Sequence, residues 1–264
     1  MAGAARSRGR PAKHIAASQR ARRGGLSPVG APDEPCWQQD LADALRGLGL
    51  TLPPEAASRL GLYMAELLRW RERINLTGFQ SPQTIVRHGF RDSLVCLAAL
   101  RPGDLELVDI GSGAGFPGLP LGLVRSDLHV TLIEANRRRH SFLAHVCRTV
   151  GLRNVRCLHG RAEALALDPA LRGRFDVAFA RAVRRLEEAA SLAAPFLRQG
   201  GIFVGQPGAL PAAPPAIPGY GAALGVPLPP ETEGDRRAQG LLIYPRSSGA
   251  TFHGKHDGET AADP

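Results

Sequence analysis

The spacing of apolar residues changes from a helical to a strand pattern near residue 105. Two segments ahead of that point are predicted to be helices: 37–50 and 54–73. In the second, four apolar side chains recur at helical spacing: Leu60, Met64, Leu67 and Leu68. Such a stripe is typical of a helix face that packs on a core. We therefore expect a small helical segment over residues 36–100.

Beyond residue 105, short apolar runs alternate with amphipathic stretches. The predicted strands are 105–110, 129–134, 155–159, 175–180, 202–204 and 241–244. The predicted helices are 118–125, 137–150 and 186–197. This alternation indicates a parallel, doubly wound α/β sheet, in which ligands bind at the carboxyl ends of the strands. The sequence therefore predicts a Rossmann-like domain over residues 101–246.

Prolines are concentrated near the end of this domain. Eight of them lie between Pro207 and Pro230. Because proline lacks a backbone N–H and fixes φ, this density predicts a long loop over residues 207–235 before the last strand. The residues after the domain, 247–264, are expected to form a disordered tail.

A loop rich in glycine follows the first predicted strand. The run from Leu105 to Gly118 reads LELVDIGSGAGFPG, with glycine at Gly111, Gly113 and Gly115. Glycine lets the backbone pass close to a ligand where a Cβ would collide, although an ordinary tight turn has the same composition. The loop is therefore predicted to bind a ligand.

The spacing of these glycines distinguishes between cofactors. The dinucleotide fingerprint G-x-G-x-x-G requires glycine at position 116, which is Phe116, so a pyrophosphate and nicotinamide-dependent oxidoreduction are disfavoured. S-adenosylmethionine carries no phosphate and does not need that glycine. An acid is expected about 20 residues after the loop to bind the ribose hydroxyls, and Glu134 lies there. We therefore expect S-adenosylmethionine as the cofactor.

Positive charge is concentrated at the start of the chain. The formal net charge is +9 over 264 residues, and residues 1–30 contain six arginines, one lysine and no acid. These seven charges leave +2 for the remainder. Residues 1–35 are predicted to be a disordered basic arm, which either attracts RNA phosphates or is merely solvated.

Several classes of protein are disfavoured by the sequence. The four cysteines, Cys36, Cys96, Cys147 and Cys157, have neither the spacing of a zinc site nor that of a disulfide framework. The longest apolar stretch, from Leu94 to Leu100, is far shorter than the roughly 20 residues that span a bilayer. The arginine-rich, acid-free arm is compatible with an organellar transit peptide, but no apolar segment follows it as in a secretory signal. We expect a cytoplasmic protein without metal or membrane contact, and its oligomeric state is left open.

Five sequence motifs resemble the RsmG (GidB) family, and the similarity covers about residues 40–245. They are Ile74-Asn75-Leu76-Thr77, Asp92-Ser93-Leu94, Val108 to Gly118, Gly160-Arg161-Ala162-Glu163 and Arg181-Ala182-Val183. The resemblance implies a class I S-adenosylmethionine-dependent methyltransferase fold preceded by a helical segment. It also implies methyl transfer to N7 of guanine 527 in 16S ribosomal RNA, so the expected partner is that RNA or the small ribosomal subunit.

The resemblance also implies the cofactor contacts. They fall on Gly111, Phe116, Glu134, Ala135, Asn136, Ala162, Glu163 and Arg181. Glu163 follows the third strand and can border the adenine. Arg181 follows the buried fourth strand, where its charge can meet the methionine carboxylate or an RNA phosphate, or pair with Asp176 or Glu187.

Two positions depart from the family pattern. One extra residue separates His88 from Asp92, so His88 is expected to be structural. After the fifth strand, Gly205-Gln206-Pro207 stands where the family has a phrase that contains lysine. The missing lysine leaves an alternative function open, that of a catalytically weakened or retargeted RNA-binding adaptor.

The expected reaction needs little from the protein beyond positioning. Guanine N7 has a lone pair and carries no proton, so methyl transfer to it requires no general base. We therefore expect positioning groups rather than a catalytic residue. The guanine is expected to be single-stranded or flipped out, with Phe116 either stacked on it or packed against the cofactor.

Overall fold

The computed structural model describes residues 37–46, 49–79, 81–180, 185–207, 210–227 and 240–247. The α-helices in these ranges are α1 (Trp37–Arg46), α2 (Pro54–Arg71), α3 (Pro82–Thr84), α4 (Asp92–Leu94), α5 (Gly118–Val124), α6 (Arg137–Thr149), α7 (Ala162–Leu165) and α8 (Leu186–Ala193). A π-helix, Ile85–Arg91, precedes α4, and a 3-10 helix, Val95–Ala99, follows it. The strands are β1 (Glu106–Ile110), β2 (His129–Glu134), β3 (Val155–His159), β4 (Phe175–Phe179), β5 (Leu197–Gly205), β6 (Leu224–Pro227) and β7 (Gly240–Pro245).

The strands form one mixed sheet in the order β3-β2-β1-β4-β5-β7-β6. β1 to β5 run parallel, and β7 is antiparallel to both β5 and β6. The chain winds outward from β1 to β3 and then returns to the other side of β1 with β4. Such a reversal leaves a crevice at the carboxyl ends of β1 and β4, where doubly wound folds bind ligands. The predicted doubly wound α/β fold is confirmed.

Helices cover both faces of the sheet. On one face, α2 packs against α5 and α6. The core there includes Leu60 and Phe142, both fully buried, and the core on the other face includes Ala190 of α8 and Phe203 of β5. Burying a large apolar side chain contributes about 1.5–3 kcal/mol relative to leaving it in water. These two clusters therefore hold the helices against the sheet.

The predicted apolar stripe of α2 lies in the first of these clusters. Leu60 and Leu67 are buried, and Met64 and Leu68 are partly buried against the same residues. Tyr63, which the predicted stripe omitted, is also fully buried. Its position three residues after Leu60 and four before Leu67 places it on the same face.

Residues 82–99 form an irregular helical stretch that the apolar pattern does not predict. It begins with a capping box, in which the Ser81 N–H donates to the Thr84 hydroxyl and the Thr84 N–H donates to the Ser81 hydroxyl. Its turns are α, π, α and 3-10 in succession. Because the number of residues per turn changes along the stretch, its apolar positions do not recur at one period.

The proline-rich segment is more ordered than predicted. β6 pairs with β7, so the prediction of a loop throughout residues 207–235 is wrong for Leu224–Pro227. A proline is tolerated there because Pro227 stands at the end of an edge strand. Ile217 and Tyr220 are buried, and the Tyr220 hydroxyl donates to the Ala190 carbonyl at 2.7 Å. The predicted basic arm and the predicted tail from residue 248 onward lie outside the described residues.

Candidate cofactor-binding site

The loop after β1 contains glycines whose main chain is not covered by side chains at the edge of the sheet. Gly111 and Gly113 have φ values of +70° and +59°, which glycine adopts without strain. The Gly111 N–H donates to the Ile133 carbonyl of β2 at 2.8 Å, which fixes the loop on the sheet. A Cβ at Gly111 would have no described atom within 4 Å, and one at Gly113 would lie 3.7 Å from the Gly111 carbonyl oxygen. The loop therefore leaves room for a ligand to approach.

Gly115 has a different role from the one predicted. A Cβ there would lie 2.3 Å from Cδ1 of Leu119, which is fully buried. Likewise, a Cβ at Gly118 would lie 2.3 Å from Cδ2 of the buried Leu132. The expectation that Gly115 faces a ligand is therefore wrong. Gly115 and Gly118 instead allow the loop and α5 to pack tightly on the interior.

Glu134 ends β2 beside this loop, and it is 5% exposed. Its Oε2 accepts a hydrogen bond from the Gly113 N–H at 2.8 Å, and its Oε1 accepts one from the Asn136 N–H at 2.7 Å. A carboxylate has about four lone-pair sites, so these bonds leave capacity for ribose hydroxyls. Glu134 therefore both fixes the loop and can bind a diol.

Asn136 caps α6. Its side-chain oxygen accepts hydrogen bonds from the N–H groups of Arg138 at 3.0 Å and Arg139 at 3.2 Å. Ala135 is exposed, and its carbonyl oxygen lies 3.2 Å from Nε2 of His159. Residues 134–136 therefore border the glycine loop at the carboxyl end of β2.

Ala162 and Glu163 are the first two residues of α7, which follows β3. β3 pairs with β2, and the Gly160 N–H donates to the Glu134 carbonyl at 3.1 Å. Ala162 is buried, whereas Glu163 is exposed. The adjacent ends of β1, β2 and β3 therefore bring the glycine loop, residues 134–136 and residues 162–163 to one edge of the sheet.

Phe116 belongs to the interior. It is 7% exposed, and its ring centroid lies 5.6 Å from that of Tyr63, 5.8 Å from that of Phe79 and 6.2 Å from that of Phe90. A Cβ at Gly89 would lie 2.7 Å from the same ring. These neighbours enclose the ring, so the expectation of a guanine stacked on it is wrong. A contact from Phe116 to a ligand would use its main chain.

Arg181 lies outside the described residues. Asp176, one of its two expected alternative partners, is described and has other partners. Asp176 lies at the opposite end of β4, where its carboxylate accepts from Nε of Arg198 and from the N–H groups of Leu105 and Glu106, both at 2.8 Å. Asp176 is therefore held by β1 and β5 at the amino end of β4.

Two residues that support the loop were missed by the sequence analysis. The hydroxyl of Tyr63 donates to the Ala114 carbonyl, which ties α2 to the loop. Asp109, which is 1% exposed within β1, accepts from the Gly118 N–H at 3.0 Å. The position of Tyr63 on the apolar face of α2 was the available signal for the first. An acid inside an apolar strand directly before the glycines was the signal for the second.

The extra residue between His88 and Asp92 coincides with the π-helix. A single inserted residue can be accommodated in a helix by widening one turn to i→i+5 bonding. The π-helix here spans Ile85–Arg91 and ends at Asp92. It places Nδ1 of His88 3.6 Å from Oδ2 of Asp92, with the His88 side chain 42% exposed. This contact agrees with a structural role for His88.

Gln206 occupies the region where the family lysine is missing. Its Nε2 donates to the Asp92 carbonyl at 3.4 Å. Its Oε1 is buried without a hydrogen-bond partner in the part of the chain that the structure describes. The end of β5 therefore contacts the segment that contains the π-helix.

The cysteines that the structure describes are free thiols. Cys96 and Cys147 are buried, and Sγ of Cys147 lies 3.8 Å from Sγ of the half-buried Cys157. The neighbouring thiol and burial together raise the pKa of Cys147. Across the described ranges, no group of three or more His, Cys, Asp or Glu side chains could hold a metal ion. No helix in those ranges combines the length and apolar character of a membrane span.

The chemistry of the loop suits a ligand without phosphate. The Gly113 N–H, which could otherwise point at an anion, binds the Glu134 carboxylate instead. Together with the buried Asp109, this acid disfavours a pyrophosphate and suits hydroxyls and a positively charged sulfonium. S-adenosylmethionine therefore fits the site. The sheet order, the antiparallel β7 and this loop define a class I S-adenosylmethionine-dependent methyltransferase.

The chain belongs to the rRNA small subunit methyltransferase G (GidB) family, whose model matches residues 56–212. It is 40% identical to the ribosomal RNA small subunit methyltransferase G of Roseiflexus castenholzii, over 61% of this chain and 68% of that protein. It is 35% identical to the protein of that name from Dictyoglomus thermophilum, over 64% of this chain and 71% of that protein. Among solved structures, it is similar to a precorrin-6y C5,15-methyltransferase from Geobacter metallireducens, with a TM-score of 0.41 and 19% identity over 59% of this chain and 87% of that one.

Proposed function

We propose that the protein transfers a methyl group from S-adenosylmethionine to N7 of guanine 527 in 16S ribosomal RNA. The observation that carries this proposal is the family match over residues 56–212, which includes α2, the glycine loop and the strands through β5. The proposed substrate is that RNA, alone or in the small ribosomal subunit. The proposed location is the cytoplasm.

The proposed cofactor contacts are those at the sheet edge. Gly111 and Gly113 provide a close backbone approach, and Glu134 accepts hydrogen bonds from the ribose hydroxyls. The main chain of Phe116 and the residues Ala135, Asn136, Ala162, Glu163 and Arg181 complete the proposed set. Support for it comes from the adjacency of β1, β2 and β3, because their ends form a continuous border.

When bound, S-adenosylmethionine supplies an electrophilic methyl group on a sulfonium. The protein's task is then to hold guanine N7 in line with the bond that breaks. Such positioning can contribute on the order of 7–11 kcal/mol. Because N7 carries no proton, no side chain needs to act as a general base. Carboxylates and carbonyls at the strand ends can stabilise the positive charge that develops on the guanine.

Transfer of labelled methyl groups to small-subunit RNA that lacks the modification would test this function. The full-length protein is expected to label the RNA and to bind S-adenosylmethionine in calorimetry. Absence of cofactor binding by folded protein would refute the proposed function.

The second candidate is a catalytically weakened or retargeted RNA-binding adaptor. It is favoured by Gln206 and Pro207, which stand where the family has a lysine-containing phrase. This candidate predicts salt-dependent RNA binding without methyl transfer in the same assay.

A further inference from the structure

The ends of α2 and α6 border a groove beside the proposed cofactor site. One cavity of about 500 Å³ is lined by Arg69, Trp70, Arg73, Ile74, Arg138 and Ser141. A second, of about 480 Å³, shares Arg73 and Ile74 and extends to Arg71 and Asn75. We name these two joined cavities the arginine groove.

The arginine groove is positively charged. Within the described residues, Arg73 and Arg138 form no ion pair, whereas Nη2 of Arg69 lies 2.7 Å from Oε2 of Glu66. Glu72 also lines the second cavity, so the lining acids are fewer than the arginines. Two unpaired guanidinium groups on neighbouring elements suit a partner that presents repeated negative charges.

The two walls of the groove are fixed to each other. Nε of Arg139 donates to the Asn75 carbonyl at 3.2 Å, which joins the start of α6 to the loop after α2. Trp70 is held by an edge contact with Phe142, with ring centroids 5.6 Å apart, and lies 5.3 Å from the ring of His145. The groove is therefore preformed, and binding would need little ordering of its walls.

Its lining favours single-stranded nucleic acid. Sites for such strands combine arginines that bind phosphates with aromatic rings that contact bases or sugars. Here the half-buried Trp70 lines the same cavity as Arg69 and Arg73, and Ser141 adds a hydroxyl. Guanidinium groups bind phosphate through two parallel hydrogen bonds, which lysine cannot form.

The groove also begins at the border of the cofactor site. The Arg138 N–H donates to the side-chain oxygen of Asn136 at 3.0 Å, and Asn136 is a proposed cofactor contact. An RNA with its target guanine in the crevice must lead its flanking nucleotides across neighbouring surface. We propose that the arginine groove binds the sugar–phosphate backbone of the single-stranded RNA beside the target guanine, with Arg73 and Arg138 on phosphates. This proposal rests on the proposed function.

The test compares two double variants of the full-length protein with the wild type. One is Arg73→Gln with Arg138→Gln, and the matched control is Arg148→Gln with Arg153→Gln. Arg148 and Arg153 are exposed near the opposite end of α6, so both variants lose two positive charges. The measurements are RNA affinity as a function of salt, the KM for small-subunit RNA and S-adenosylmethionine affinity.

The groove variant is expected to raise the KM for RNA at least tenfold and to reduce the slope of log affinity against log salt by about 1.4, since each phosphate contact contributes roughly 0.7 for a single strand. Its affinity for S-adenosylmethionine should stay within twofold of the wild type. The control should match the wild type throughout.

Equal KM and equal slope in the groove variant and the wild type would overturn the proposal, as would an equal loss in the control. A loss seen with assembled particles but not with free RNA would also overturn it, in favour of an acidic protein partner. Failure of the wild type to transfer methyl groups would refute the proposed function instead, and the salt slopes would still decide whether RNA lies in the groove.

Discussion

Individual residues at the glycine loop divide into those that face open space and those that face the interior. Gly111 and Gly151 have nearly the same φ, +70° and +71°, and a Cβ at either would have no described atom within 4 Å. They differ in place, since Gly111 follows β1 at the proposed site and Gly151 follows α6. This pair separates the effect of backbone strain from the effect of blocking the site.

Gly111→Arg should abolish S-adenosylmethionine binding, because its side chain would occupy the space beside the loop. Both Gly111→Arg and Gly151→Arg should lose about 1–2 kcal/mol of stability, since a side chain strains a left-handed residue. Calorimetry with the cofactor checks the first effect, and thermal unfolding checks the second. Unchanged cofactor affinity in Gly111→Arg would place the cofactor elsewhere.

Glu134→Gln should weaken S-adenosylmethionine binding at least tenfold. Glutamine has one acceptor oxygen, so its amide would face the N–H of either Gly113 or Asn136. The lost charged hydrogen bond should also lower the free energy of unfolding by about 1.5–3 kcal/mol. Calorimetry and urea denaturation measure these two quantities. Wild-type affinity in a correctly folded variant would argue against a ribose contact at Glu134.

The residue scale also shows where sequence patterns are ambiguous. Gly111 and Gly115 lie in the same glycine-rich loop, yet one borders open space and the other packs against Leu119. Phe116 was predicted to contact a ligand, but its ring is surrounded by Tyr63, Phe79 and Phe90. The direction of a side chain in a loop depends on contacts from distant segments, and no local pattern records these.

At the scale of elements, α2 supports the loop from outside the sheet. The buried Tyr63 spans the distance from α2 to the Ala114 carbonyl. A tyrosine on the other face, Tyr220, makes an analogous bond to the Ala190 carbonyl. The helical segment therefore contributes to the shape of the proposed site as well as to the core.

Tyr63→Phe should lower the free energy of unfolding by about 1–3 kcal/mol, because it leaves a buried carbonyl without its donor. It should also weaken S-adenosylmethionine binding several-fold, since the loop loses a support. Tyr220→Phe is the control, with wild-type cofactor affinity and a smaller loss of stability, because the Ala190 carbonyl keeps its hydrogen bond from the Ala194 N–H. Equal cofactor affinity in both variants would show that α2 does not support the binding conformation of the loop.

Element prediction succeeded where the apolar period was constant. The predicted strands 129–134 and 155–159 coincide with β2 and β3. The stretch 82–99 lies within the expected helical segment 36–100, but its individual helices were not predicted, because α, π and 3-10 turns have different periods. Strand β6 was not predicted because it lies in a proline-rich segment and ends at Pro227. A proline is tolerated in an edge strand, but the sequence does not show that β6 lies at the sheet edge.

At the scale of the whole molecule, Asp176 joins three strands at the amino edge of the sheet. It lies in β4 and binds main-chain N–H groups at the start of β1 and the side chain of Arg198 in β5. Burial alone raises the pKa of Asp176. The hydrogen bonds from the N–H groups of Glu106 and Leu105 and the charge of Arg198 together lower it by more, so the pKa lies below its ordinary value.

A carboxyl with a lowered pKa in the folded state stabilises the protein above its unfolded pKa of about 3.9 and loses that effect as the pH falls through the folded pKa. Asp176→Asn should therefore reduce stability near neutral pH by about 1.5–3 kcal/mol, and the difference from the wild type should shrink below pH of about 4. Asp127→Asn is the control, because its ion pair with Arg125 is exposed and contributes about 0–1 kcal/mol. A pH-independent difference for Asp176→Asn would contradict the assigned charge interactions.

The fold class followed from the order of strands and helices, and the cofactor followed from the glycine spacing with Glu134. The packing of the helical segment on the loop could not be predicted, because it depends on contacts between residues far apart in sequence, such as Tyr63 and Ala114. The arginine groove was likewise not apparent, since Arg73 and Arg138 come together only when α2 packs against α6.

The most direct test of the account is to map N7-methylguanine in 16S ribosomal RNA from cells with and without this protein. The modification at guanine 527 is expected to be present with the protein, absent without it and restored by the wild type but not by Gly111→Arg. Identical modification of guanine 527 in cells that lack the protein would contradict the account.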